Sequence, residues 1–114
     1  MAIQTATMRN TLAGAYADAA LYGAVYTSTP GATAGTEPSG GTPAYARKAL
    51  TWSSPSNGIV TATATFDIPT GVTIVGAGVH TALTGGAYLD GGAVTSQAFS
   101  SQGTYEVTFT YTQS

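Results

Sequence analysis

Residues 104–112 read TYEVTFTYT, and the strict alternation of this stretch decides the fold class. Successive side chains of a β-strand point to opposite faces of its sheet, so every second residue shares a face. One face here is rich in threonine, and the other carries the apolar and aromatic side chains of Tyr105, Val107, Phe109 and Tyr111. The stretch therefore predicts an antiparallel strand with one face on a core.

The same period of two recurs in Ile59–Ile68, IVTATATFDI, where the expected core side chains are Val60, Ala62, Ala64, Phe66 and Ile68. Turns rich in Gly and Pro separate further predicted strands at 21–27, 44–53, 72–81 and 87–95. The last strand is interrupted at 90–92 by a bulge or a bend and is followed by a loop over 97–103. Within the strand 72–81, Gly76 and Gly78 share a face, which lets a large ring or another backbone approach closely.

One helix is expected, over residues 4–20, because Met8, Leu12 and Ala15 or Tyr16 recur at spacings of three and four. Thr5 or Thr7 is the expected N-cap. The alternative is an arm that orders only on a partner. The sequence thus predicts a mainly β protein, a single antiparallel β-sandwich or jelly-roll-like domain at 21–114 behind a short N-terminal helix or arm at 1–20.

Charge is scarce, and this excludes several classes of function. Apolar residues make up 43% of the 114 residues and charged residues only 7%, with a net charge of −2. Three basic side chains are too few to neutralise a phosphate backbone or an anionic membrane, so no nucleic-acid or membrane partner is expected. The chain has no cysteine, which excludes disulfides and thiolate metal sites and fits either synthesis in a reducing cytoplasm or a fold that needs no covalent crosslinks.

Catalysis is not expected either. His80 is the one possible imidazole base, with Asp67 or Asp90 as its orienting acid, but no Gly-x-Ser-x-Gly motif accompanies it. We expect His80 to lie at a strand end, partly exposed and without a role. The acidic residues do not cluster at metal-ligand spacing and no glycine-rich phosphate loop is present, so no enzyme, metal or cofactor is predicted.

Contact with partners is the remaining role, and aromatic and Arg side chains are its usual anchors. The candidate contact residues are Arg9, Glu37, Tyr45, Arg47, Lys48 and Trp52. Arg47 and Lys48 are neighbours on a predicted strand, so they point to opposite faces, and Glu37 or a partner is expected to hold one of them. The Gly- and Pro-rich stretch 28–43 is either a functional loop or a flexible insertion.

Several segments in this order resemble a family of small tailed-phage virion proteins, familiar among phages of actinobacteria: LYGAVYT at 21–27, YARKALTW at 45–52 and TGGAYLDGGAVT at 84–95. Members are labelled head-decoration, minor capsid or minor tail proteins. They often carry bulkier apolar residues where residues 75–79 have two glycines. The likeness covers nearly the whole chain.

The resemblance implies a non-enzymatic decoration protein on the capsid exterior. Its partners would be the major capsid protein, whose lattice it would stabilise, and its own copies in a trimer or dimer. The alternative that the resemblance leaves open is a minor tail or receptor-binding module that contacts a glycan of the host surface.

Overall fold

A computed structural model describes residues 3–114. In chain order these residues form one helix and six strands: α1 Ala6–Ala19, β1 Tyr22–Tyr26, β2 Lys48–Ala49, β3 Ile59–Ile68, β4 Val72–His80, β5 Tyr88–Phe99 and β6 Gly103–Thr112. All strand pairs are antiparallel. The predicted class, mainly β with one short helix, is confirmed. Among the described residues, no helix is long and apolar enough to cross a membrane.

Helix α1 forms where its spacing predicted. Thr5 is the N-cap, since its Oγ1 accepts a hydrogen bond of 3.2 Å from the Met8 amide. The helix ends at Ala20, whose amide still donates to the Tyr16 carbonyl over 2.9 Å. Ala13 and Ala20 are fully buried on its inner side. The first two residues of the predicted arm lie outside the described residues.

The strands form two sheets in a sandwich-like arrangement. One has four strands in the order β2-β1-β4-β5, and the other is the pair β3-β6. In β3 the alternation predicted from the sequence is confirmed, with Val60, Phe66 and Ile68 fully buried. From the four-stranded sheet, Val25, Ile74, Ala77, Val79 and Phe99 complete this core. The described chain is elongated, with principal extents of 48 × 21 × 21 Å.

The strand predicted at 44–53 was wrong, because only Lys48–Ala49 form β2. The chain changes partner here. The Leu50 amide donates to the Leu21 carbonyl beside β1 over 2.9 Å, and the Ser53 amide donates to Thr61 of β3 over 2.8 Å. Since the segment crosses from one sheet to the other, it cannot pair along its length with a single strand. It joins the two sheets along one flank.

Strand β5 also departs from its prediction. It runs without a break from Tyr88 to Phe99, so the loop expected from residue 97 was wrong. The irregularity expected at 90–92 is present as a register shift at Asp90, and a second shift lies on the other side of the glycines. One shift falls where Val79 pairs with Asp90 and His80 with Tyr88, and the larger one lies opposite Val75. Gly91 fits against β4 because it lacks a side chain: a Cβ atom there would lie 2.8 Å from the Ala77 carbonyl oxygen.

The glycines of β4 make the close contact that the sequence predicted. A Cβ atom at Gly78 would lie 2.6 Å from the Tyr26 hydroxyl, and one at Gly76 would lie 2.4 Å from the Pro30 ring. The loop 28–43 therefore rests on the sheet through Pro30, and it is tied further by a hydrogen bond of 2.8 Å from the Thr27 amide to the Thr36 carbonyl. Its backbone path is held by the body of the protein.

Candidate assembly surface

Three of the six candidate contact residues meet in one hydrogen-bonded network. Arg47 Nη2 lies 2.9 Å from Glu37 Oε2, and Arg47 Nε donates to Glu37 Oε1 over 3.1 Å. The Tyr45 hydroxyl donates to the same Oε1 over 2.8 Å. Arg47 Nη1 donates to the carbonyls of Ala82 and Gly85, each at 2.9 Å. Glu37 thus holds Arg47, as one of the sequence alternatives expected.

Electrostatics keep this network in its charged form. Burial alone would raise the pKa of the Glu37 carboxyl, but hydrogen bonds from Arg47 and Tyr45 outweigh burial and hold it below its usual range. The hydrogen bond to Glu37 raises the pKa of Arg47. Burial, followed by the bond to Glu37, raises the pKa of Tyr45, so its hydroxyl remains a donor. The network braces the loop 28–43 against the crossing segment and the turn after β4.

A shallow cavity of about 390 Å³ opens beside this brace. Leu83, which is 50% exposed, and Pro38 supply apolar walls, while Glu37 and Arg47 form the polar side. Both charged groups are already satisfied within the chain. The cavity therefore offers a ligand mostly apolar contact.

Lys48 and Arg9 engage other parts of the chain. Lys48 Nζ lies 3.4 Å from Asp67 Oδ2 in a half-exposed ion pair. Arg9 Nη1 donates to the Ile3 carbonyl over 2.8 Å. Among the described residues, two ion pairs thus involve four of the eight firmly charged side chains. The remaining four are Arg9, Asp18, Asp90 and Glu106.

His80 differs from its prediction. It does end β4, but it is only 3% exposed rather than partly exposed. Its Nε2 lies 2.6 Å from the buried Tyr26 hydroxyl, and its ring lies 5.6 Å from that of Tyr88. Burial lowers the pKa of His80, and the charge of Arg47 lowers it further. A neutral imidazole paired with a phenol is a core contact, because the triad arrangement would require a carboxylate partner.

Trp52 belongs to an aromatic cluster at the end of the two sheets. Its Nε1 donates to the Ala20 carbonyl over 2.7 Å, and its ring meets Tyr16 edge-on at 5.7 Å. Tyr16 stacks on Tyr111 of β6, with ring centroids 4.0 Å apart, and its hydroxyl donates to Asp90 Oδ2 of β5 over 2.8 Å. Sequence reasoning missed this role of Tyr16. Its helical spacing from the buried Ala13 and Ala20 was the available signal.

A groove of about 290 Å³ lies below this cluster, between β5 and β6. Consecutive residues of each strand line it, 90–94 on one side and 107–110 on the other, with 77–79 of β4 in its floor. Side chains of consecutive strand residues point to opposite faces, so a groove that meets all of them follows the strand edge. The groove therefore exposes two strand edges.

Single large apolar side chains complete the surface. Those between 38% and 50% exposed are Met8, Leu12, Leu21, Ile59, Leu83 and Leu89. Within residues 3–114, no three His, Asp or Glu side chains gather where they could hold a metal ion. Unpaired strand edges, apolar side chains and threonines are thus all present at the surface. These features suit a structural protein that acts through contact.

Comparison with known proteins agrees with this class. A family model described as podophage GP4 fiber I protein gp80 matches residues 2–112, so the chain belongs to this family of phage fiber proteins. Neither the curated proteins nor the solved structures contain a match. The predicted phage virion protein is confirmed at this level. The match does not extend to capsid decoration or to phages of actinobacteria.

Proposed function

We propose that this protein is a non-enzymatic structural subunit of a podophage fiber. The observation that carries the proposal is the fiber-family match, which spans residues 2–112 and therefore almost the whole chain. Its role is associative: it joins or extends the fiber through contacts between subunits. The receptor-side alternative from the sequence, a minor tail module, fits a fiber family better than capsid decoration does.

The shape and surface support such a role. The body is more than twice as long as it is wide, 48 Å against 21 Å, which suits a segment of an extended appendage. Threonine occupies the outward face of β3 and β6, where it can hydrogen-bond to a neighbour with little rotamer entropy to lose. The major capsid protein, a host glycan and a dimer or trimer of the chain stay predictions.

The location of the protein on purified particles tests the proposal. An antibody against the folded protein, detected with gold, should label the tail appendages of virions in electron micrographs. Particles labelled with an antibody against the capsid shell provide the matched control. Labelling spread over the shell would replace the fiber role with the decoration role. If purified intact virions contained none of this protein, both the fiber role and the decoration role would be overturned.

A further inference from the structure

The groove between β5 and β6, called the seam from here on, is an opened hairpin. The two strands leave a short turn at 100–102 and run antiparallel. At the base, the Tyr105 hydroxyl donates to the Thr95 carbonyl over 2.7 Å and the Tyr105 ring meets Phe99. Beyond this point the strands do not pair: among residues 3–114, β5 has β4 as its one neighbouring strand and β6 has β3.

On β6, the backbone groups of Thr108 and Thr110 face the seam. Thr61, opposite Thr110 in the β3–β6 register, donates its amide to Ser53 Oγ and accepts from the Ser53 amide, both on the far side of β3. In an antiparallel pair, two opposed residues either bond to each other or both face away. Thr110 therefore faces away from β3, into the seam, and Thr108 does the same two residues earlier.

On β5, the backbone groups of Gly91 and Ala93 face the seam. The Gly91 amide donates to Asp90 Oδ1 over 2.9 Å rather than to β4. Register between β4 and β5 is regular from Gly91 to Ala93, so the two residues point the same way. In the β4–β5 and β3–β6 registers, the backbone groups of Ala93, Thr108 and Thr110 point away from the strand to which each is paired.

Tyr16 bridges the two strands at the upper end of the seam. It bonds to Asp90 on one strand and stacks on Tyr111 of the other, with the rings 9° from parallel. Burial, then the bond to Asp90, raises the pKa of Tyr16, so the hydroxyl keeps its proton. Tyr16 and Tyr105 therefore bound the seam at its two ends, while its outer side is open to solvent.

We infer that the seam receives an extended segment of another polypeptide chain, which inserts as a strand between β5 and β6. This inference deepens the proposed fiber role and rests on it. The Gly91 carbonyl and the Ala93 backbone on one wall, and the backbone groups of Thr108 and Thr110 on the other, are spaced at the strand repeat, while the Gly91 amide is already bonded to Asp90. An extended peptide presents donors and acceptors at that same repeat, so it satisfies both walls at once. About four residues, or about 13 Å, fit between the two tyrosines.

The lining defines the chemistry of the inserted segment. Ala77, Val79, Val107 and Phe109 give an apolar floor, so alternate side chains of the segment should be small and apolar. Asp90 is the one charged group of the lining, and it already accepts from Tyr16 and Gly91. A segment without acidic residues avoids repulsion there. The outward side chains meet Thr108 and Thr110, which suits uncharged polar residues.

A peptide titration tests the inference on the isolated protein. The probe is a capped synthetic copy of IVTATATF, residues 59–66, which is uncharged and alternates as required. We expect saturable binding below about 1 mM. Amide hydrogen exchange at Ala93, Thr108 and Thr110 should slow by about tenfold or more. The matched control is the same peptide with Ala62→Pro and Ala64→Pro, which lacks two amide donors and should give no slowing.

Two results would overturn strand insertion: no binding at the highest peptide concentration, or protection at one wall only. The alternative that β5 and β6 pair directly with each other is tested separately with the variant that combines Ala93→Cys and Thr108→Cys. A seam as wide as a missing strand keeps these Cα atoms beyond about 7 Å, so no disulfide should form under oxidation. Rapid disulfide formation would also overturn the inference. Neither result depends on where the protein lies on the virion, so failure here leaves the gold-labelling test intact.

Discussion

Both flanks of the sandwich consist of strand edges, but the two sheets are connected differently along each flank. On the closed flank, the crossing segment bonds to Leu21 beside β1 and to Thr61 of β3 through its own backbone. On the open flank, within residues 3–114, β5 and β6 do not pair, and the side chains of Tyr16 and Tyr105 bridge them. Backbone bonding makes the first flank part of the fold, whereas the second flank is bridged by side chains and leaves one edge of β5 and one edge of β6 unpaired in this part of the chain. The closed flank therefore stabilises this chain, whereas the open flank is the surface that we propose binds a segment of another chain.

The largest contrast should come from matched phenylalanine deletions. Phe66 is fully buried in β3, and Phe66→Ala should lower the free energy of unfolding by about 3–5 kcal/mol. Phe109 is half-buried beside the seam, and Phe109→Ala should lower it by only about 2 kcal/mol. Urea unfolding followed by circular dichroism measures both values. Equal losses would mean that the seam is packed as tightly as the core.

The brace on the crossing segment should give the next largest effect. Glu37→Gln leaves Arg47, whose side chain is 12% exposed, without its counter-charge, and should lower the free energy of unfolding by about 1–3 kcal/mol. Asp67→Asn, which removes the longer and more exposed pair with Lys48, is the control and should cost less than about 0.5 kcal/mol. A reversed order in the same unfolding assay would contradict the assigned role of Glu37.

His80 should make stability depend on pH within one window. Its pKa is lowered from 6.5 in the folded protein, so above that pH both states are neutral and the full stability is present. As the pH falls below 6.5, the unfolded chain binds the proton more readily and stability is lost, by at most about 1.4 kcal/mol per pH unit. Unfolding free energies from about pH 7.5 to about pH 5 measure this slope.

The control for the pH experiment is His80→Gln, which should flatten the curve in that window whatever its overall stability. Glu37, whose pKa is lowered from 4.5, adds its own loss only at lower pH and in the same direction. A slope that survives the substitution would assign the dependence to another group.

The smallest change should come from the tyrosines of the open flank. Tyr16→Phe removes the bond to Asp90 but keeps the stacked ring, and should lower stability by about 1 kcal/mol. Tyr105→Phe removes the bond to Thr95 and serves as the comparison at the other end. Amide exchange at Ala93 and Thr108, measured by NMR, should change in both variants while amides of the closed flank do not. Uniform changes across the protein would remove the distinction between the flanks.

Local pattern determined which parts of the fold could be predicted. In strands β3 and β6, apolar and polar side chains alternate regularly because one face of each strand meets the core. The face that each side chain occupies could therefore be predicted residue by residue. Residues 44–53 also alternate, but alternation does not say that the chain changes partner at Leu50. The seam could not be predicted from the sequence for a related reason. Residues 87–112 carry the pattern of an ordinary hairpin, and the side chain that bridges its two strands at one end is Tyr16, which lies 74 residues away from its partner Asp90 in the sequence.

The pairing of Glu37 with Arg47 and of Lys48 with Asp67 has a consequence for the kinetics of association. With those charges neutralised inside the chain, one cation and three anions are left to attract or orient an incoming subunit. Encounters should therefore proceed at the unsteered rate, about 10⁵–10⁶ M⁻¹s⁻¹, and should change little with ionic strength. Without electrostatic steering, the rate of association depends on the concentration of the subunits alone. In the proposed fiber role, the rate of fiber assembly should therefore follow the concentration of subunits in the infected cell.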